Sequence, residues 1–132
     1  MMPEPLQGHS LQASLTVKSL EQSTVWYMQV LGFAVDRRHE REGKLIAVSL
    51  RAGEVRLLLT QDDGAKGLDR IKGEGLSLQI STHQSVDTIA AEIQKHGGVL
   101  DTEPTTAPWG PRIIRFRDPD GFRFTLSSTD AA

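Results

Sequence analysis

The feature that most narrows the folds open to this 132-residue chain is an internal repeat. Leu11, Ala13, Leu15 and Val17 alternate with Gln12, Ser14 and Thr16, the pattern of a half-buried strand. Ser19 and Gln22 then form an S-x-x-Q capping box, which opens a helix. Leu20, Thr24, Tyr27 and Leu31 share one face of that helix, and Gly32 supplies a left-handed stop. Three strands are expected next, Phe33–His39, Leu45–Arg51 and Val55–Thr60, parted by Gly43 and by Ala52-Gly53. A charged, Gly-containing segment, Gln61–Glu74, reads as a linker or mobile loop. Then the order begins again. Leu76, Leu78 and Ile80 alternate with Ser77, Gln79 and Ser81, and Val86, Ile89, Ala90 and Ile93 share a helical face closed by Gly97. Val99–Thr102, Arg112–Arg117 and Phe122–Ser127 are short strands. Thr105–Pro111 is a loop around Trp109, and the turn Asp118-Pro119-Asp120-Gly121 joins the last two strands.

Each half therefore reads strand–helix–strand–strand–strand, and neither half alone can cover its sheet. The expected fold class is α+β: two βαβββ modules, 11–60 and 75–128, forming an open curved mixed sheet around a cleft. The modules make one domain, 11–128, preceded by a tail, 1–10, with Pro3, Pro5 and Gly8. Helices are expected to cover one face of the strands, leaving the polar face to line the cleft. A chain of this length buries enough surface to fold without a disulfide or structural metal.

Composition removes several classes of function. A net charge of -2 and a pI near 6.1 lack the basic footprint of a nucleic-acid binder. With no Cys there is no disulfide, thiolate metal site or Cys nucleophile. No apolar run approaches the roughly 18 residues of a membrane span. MMPEPLQGHS has neither a basic start nor an apolar core, so the cytoplasm is the expected compartment. There is no nucleophile elbow, and the glycines fit neither G-x-G-x-x-G nor Walker spacing.

The run LTVKSLEQSTVWYMQVLGF resembles the opening of a glyoxalase/bleomycin resistance protein/extradiol dioxygenase (vicinal oxygen chelate) protein. FRDPDGFRFTLSS resembles the closing hairpin of the same superfamily, and PWGPR is common in its bleomycin-resistance-like branch. The likeness covers about residues 11–128. It implies paired βαβββ modules around a ligand cleft, usually in a homodimer.

Metal-dependent members take one ligand from each of four strands, usually His or Gln, Glu, His and Glu. By the same resemblance those positions fall on Gln12, Leu58, Gly75 and Thr125. One amide and one hydroxyl do not hold a divalent ion, which needs several carboxylate or imidazole donors. Glu74 and His9 are near two of these positions but out of phase with the strands, and a one-residue slip reverses the face. His39, His83 and His96 are expected in or near turns and at a helix end, solvated or capping. No metal and no cofactor is expected.

Strand parity turns Gln12, Ser14, Arg56, Leu58, Ser77, Gln79, Arg123 and Thr125 toward the cleft. Parity leaves Arg112–Phe116 open. Arg115 is added as a possible anion contact, whereas Arg117 suits ordinary surface charge. Trp109, stiffened by Pro108 and Pro111, is a candidate lid or wall for a flat ligand. Trp26 suits packing at a module or dimer boundary. This set lacks a general base and favours hydrogen-bonded binding over acid–base chemistry. The leading expectation is a metal-free small-molecule-binding protein, sequestering a ligand or antibiotic, in a homodimer without membrane or nucleic-acid partners. Cationic bleomycin itself suits a groove that offers Arg poorly. The alternative is a lyase, isomerase or dioxygenase of the superfamily with a rebuilt active site.

Overall fold

The computed structural model describes residues 4–128, so the first three residues of the expected tail lie outside the described residues. The elements follow the repeat: β1 (Ala13–Val17), α1 (Leu20–Gln29), β2 (Ala34–Arg41), β3 (Lys44–Ala52) and β4 (Val55–Gln61). The second series is β5 (Ser77–Thr82), α2 (Val86–Lys95), β6 (Leu100–Thr106), β7 (Arg112–Arg117) and β8 (Arg123–Ser128). Ser19 and Ser85 cap the two helices, their hydroxyls accepting the N–H of Gln22 and Thr88. Leu11 was expected in the first strand but lies outside it and is 97% exposed. β6 runs on through Pro104 into Thr105 and Thr106, the first two residues of the expected loop. As the edge strand of its sheet it can hold a proline without losing a ladder bond.

The strands form two open four-stranded sheets, β1-β4-β3-β2 and β5-β8-β7-β6. In each, the first strand of the module runs parallel to the last and the others pair antiparallel. Alternation gives each sheet one apolar face. Leu15, Val17, Val48, Leu50, Leu57 and Leu59 of the first module join Ile114, Phe116, Phe124 and Leu126 of the second in one buried cluster. Leu20 and Tyr27 of α1 and Val86, Ala90 and Ile93 of α2 belong to the same cluster. Both apolar faces thus serve a shared core with the helices. The ends of the helices meet closely at Gly98, where a Cβ would come within 2.7 Å of Val30 and 2.5 Å of Ile93.

Polar contacts lock the modules together at the β7–β8 turn. The Tyr27 hydroxyl, from α1, donates to Asp118 Oδ2 at 2.7 Å. Asp118 Oδ1 accepts the N–H groups of Asp120 (2.9 Å) and Phe122 (2.8 Å). Burial, foremost, pushes the Tyr27 phenol far up, so it stays protonated and donates. Burial also raises Asp118, against the hydrogen bonds that favour its charged form. Two residues on, Asp120 accepts the Lys18 N–H at 2.7 Å and the Ser23 hydroxyl at 3.4 Å.

The segment between the modules closes the lock. The Lys72 ammonium sits 2.8 Å from Asp62 and 3.4 Å from Asp120. The three side chains are 5%, 3% and 6% exposed, so each charge depends on its neighbours. Asp62 also donates its N–H to the Val17 carbonyl at 2.9 Å, and Lys18 pairs with Asp69 at 2.8 Å. The Gln61–Glu74 segment is therefore pinned across both modules rather than a bare tether.

Tyr27→Phe should lower unfolding free energy by about 1–3 kcal/mol in urea titrations, because a buried carboxylate oxygen loses its donor. An unchanged midpoint would remove Tyr27–Asp118 from the lock. The Lys72 ammonium, foremost, and the Gly64 N–H hold Asp62 down to about 2. A depressed carboxylate contributes stability above its unfolded value, roughly 3.9, that is lost as pH falls through the folded value. Asp62→Asn should thus lower Tm at neutral pH and show a shallower decline than the parent between about pH 4 and 2. Parallel Tm curves for the two proteins would contradict this.

Candidate functional site

The polar face of each sheet is opposite the shared core, and register sets its rows. On the first sheet, Ser14, Leu58, Ser49 and Arg37 stand in line across β1, β4, β3 and β2. The adjacent row is Thr16, Thr60, Ala47 and His39, with a hydroxyl contact of 3.2 Å between Thr16 and Thr60. Arg56 opposes Arg51, and both reach Asp36, at 3.1 and 3.5 Å. Gln12 lies two residues before Ser14, ahead of the strand, and is exposed.

On the second sheet, Gln79, Thr125, Arg115 and Thr102 form one row and Ser77, Arg123 and Arg117 the next. This settles the parity left open for β7: Ile113, Arg115 and Arg117 share the polar face, and Ile114 and Phe116 enter the core. Thr125, flanked by Gln79 and Arg115, is buried. Arg117 makes a two-pronged bond to Asp101, at 2.9 and 3.0 Å, which holds its guanidinium charged. Arg112, on the other face, does the same with Asp87 of α2, and the guanidinium keeps Asp87 low. Among the described residues Arg115 and Arg123 make no ion pair. They stand diagonally across β7 and β8, both exposed.

The ten site residues expected from sequence thus divide. Gln12, Ser14, Arg56 and Leu58 belong to the first module, and Ser77, Gln79, Arg115, Arg123 and Thr125 to the second. Trp109 lies in the turn between β6 and β7, 68% exposed, where Gly110 and Ala107 close the loop by backbone bonds. Trp26 stacks edge-on against Tyr27 at 5.0 Å and is partly buried against the core.

Sequence reasoning passed over one residue. His39 is not a turn residue: it lies in β2, partly buried, with Nε2 3.0 Å from the Ser49 hydroxyl. The register shift between Val35 and Arg37 marks a bulge before it, an irregularity that periodicity does not announce. His96 does cap α2 and pairs with Glu92 at 3.3 Å.

The four positions that the resemblance assigns to metal ligands do not suit an ion. Leu58 and Gly75 offer no side-chain donor, and Thr125 and Gln12 offer only neutral ones. Among the described residues no three of His, Cys, Asp and Glu gather into a group that could hold a metal.

The sequence profile described as the Glyoxalase/Bleomycin resistance protein/Dioxygenase superfamily matches residues 9–126. Among curated proteins no sequence matches the chain. Among solved structures it is similar to a superfamily member from Sphaerobacter thermophilus, with 21% identity and a TM-score of 0.75 over 92% of this chain and 98% of that one. It is similar to TioX from Micromonospora sp. ML1, at 17% identity and a TM-score of 0.72 over 94% and 98%. A protein from the mobile metagenome of V. Pseudocholerae gives 20% identity and a TM-score of 0.73 over 97% and 99%. At these identities the likeness speaks for the fold alone.

Because the donor set is so poor, purified protein should carry less than about one-tenth of an equivalent of Zn, Ni, Mn or Fe, and chelators should leave its Tm unchanged. A stoichiometric ion by elemental analysis, lost in Gln12→Ala, would reverse this.

Proposed function

The chain belongs to the Glyoxalase/Bleomycin resistance protein/Dioxygenase superfamily, and on that premise we propose that it is a metal-free small-molecule-binding protein whose ligand lies against the polar sheet faces. The observation that carries this is the pair Arg115 and Arg123. Among the described residues neither makes an ion pair; Arg115 stands opposite Thr125, which Gln79 flanks, and Arg123 stands opposite Ser77. A guanidinium pair next to neutral donors suits the carboxylate or phosphate group of a ligand. Gln12, Ser14, Arg56 and Leu58 would face the ligand from a first module, and Trp109 would wall it.

Within one chain both apolar faces serve the shared core, and the polar faces stand outside it. A homodimer that sets the first module of one copy against the second module of the other would close the cleft. Binding in the cytoplasm, as ligand or antibiotic sequestration, fits this arrangement.

The imidazole of His39 beside the Ser49 hydroxyl, on the polar face of the first sheet, favours one second reading. A lyase or isomerase of the superfamily with a rebuilt site would have its general base there.

The test is a thermal-shift screen of aromatic carboxylates and phosphates, followed by titration of variants. Arg115→Ala should weaken a confirmed ligand by about tenfold or more. Trp109→Ala should cost about 1–3 kcal/mol of binding, and Trp26→Phe should leave affinity intact. Sedimentation should show a dimer at micromolar concentration. A ligand that binds Arg115→Ala and the parent equally, or a monomer throughout, would sink the proposal. Turnover of the ligand, lost in His39→Ala, would decide for the enzyme.

A further inference from the structure

The internal repeat allows the two halves to be compared side chain by side chain. Both helices start one residue after a serine cap and run for ten residues. Their first, fifth and eighth residues are buried in both: Leu20, Thr24 and Tyr27 in α1, Val86, Ala90 and Ile93 in α2. The eighth positions differ sharply. Tyr27 fills its place with a ring that meets Phe33 and Phe124 edge-on, at 5.7 and 6.1 Å. Its hydroxyl reaches a carboxylate, Asp118, in the last hairpin turn of the other module. Ile93 carries no ring and no hydroxyl.

Where Ile93 stops short there is a recess of about 790 Å³ between the modules. Its lining includes Ile93 and Ile89 of α2, Ile80 of β5 and Phe33, together with the last hairpin turn of the first module, Ala52–Val55. That turn is the counterpart of the one that receives Tyr27, and it too holds an acidic residue, Glu54, which lines the recess and, unlike Asp118, is exposed. None of the ten residues expected at the cleft lines this recess, because Ile80, Phe116 and Leu126 belong to the apolar face of the second sheet.

We propose that this recess is a second binding site, for a planar aromatic molecule bearing a hydroxyl. The ring would lie on Ile93, Ile89 and Phe33, as the Tyr27 ring lies in the other half. The hydroxyl would donate to Glu54 as Tyr27 donates to Asp118. The volume is in the range of small-molecule pockets, roughly 300–1,000 Å³, and the lining has their composition, apolar walls with a few polar groups. A second copy of the chain would be the wrong occupant to expect here. The feature that the first module uses to fill the equivalent place is a single aromatic side chain with one donor, not a peptide surface.

The probe is 2-naphthol, titrated into full-length protein labelled at the isoleucine δ1 methyls. The methyl signals of Ile80, Ile89 and Ile93 should shift upfield and saturate, as ring currents require, while those of Ile46, Ile71 and Ile113 stay in place. Ile89→Phe, which puts a ring of the protein's own into the recess, should abolish the shifts while holding or raising Tm. Glu54→Gln should weaken 2-naphthol by about fivefold or more, the effect of losing a charged acceptor. If Ile89→Phe fails to fold, Glu54→Gln and the methyl map decide alone. Absence of saturable shifts, shifts confined to Ile113, or undiminished binding in either variant would overturn the site. So would Ile89 and Ile93 shifts that follow protein concentration without probe, since self-association would then cover the recess.

Discussion

Two aspartates of one tight turn hold the halves of this chain together. Asp118 takes the Tyr27 hydroxyl, and Asp120 takes the backbone of Lys18, the hydroxyl of Ser23 and the ammonium of Lys72. Asp62, at the start of the connecting segment, shares that ammonium. Carboxylates this well buried are tolerable only when they are paired and hydrogen-bonded. The turn residues therefore permit essentially one arrangement of α1 and the connector against the second module. The position of every other surface follows from that arrangement, including both polar faces and the recess beneath Ile93.

The shared core has a second consequence. Each module contributes its apolar face and its one helix to one cluster, and the polar faces stand outside that cluster. The polar faces carry Arg37, His39, Arg115 and Arg123 among small hydroxyl side chains. A surface rich in guanidiniums is a poor partner for a cation and a good one for an anion. By resemblance two of the metal-ligand positions fall on Leu58 and Gly75, whose side chains offer no donor.

The two modules also show how a repeat diverges without changing shape. Backbone order, caps and buried helix positions are kept. Side-chain volume is not: Tyr27 against Ile93, Trp26 against Glu92. An aromatic pair fills the contact on one side of the pseudo-symmetric interface, and an open recess remains on the other.

Element order, the Ser19 cap and the apolar stripes of the helices were legible in the sequence, because each depends on residues within a few positions of one another. Ser19 and Gln22, or Val86, Ala90 and Ile93, declare themselves by spacing alone. Parity was legible too for Ser14, Arg56, Gln79 and Arg123, which lie on the polar faces as alternation required. The tertiary structure alone decided the rest. Asp118 reads from sequence as a turn residue, and only packing across 91 positions makes it the acceptor for Tyr27. Arg115 and Arg117 look equivalent in sequence, and they part company only because Asp101 of the neighbouring strand reaches one of them. His39 joined the polar face through a bulge, and the recess is lined by segments far apart in the chain, Phe33 and the Ala52–Val55 turn meeting Ile80, Ile89 and Ile93. Periodicity records which way a side chain points relative to its own backbone. What it meets there depends on chain segments far away in sequence, which local spacing does not encode.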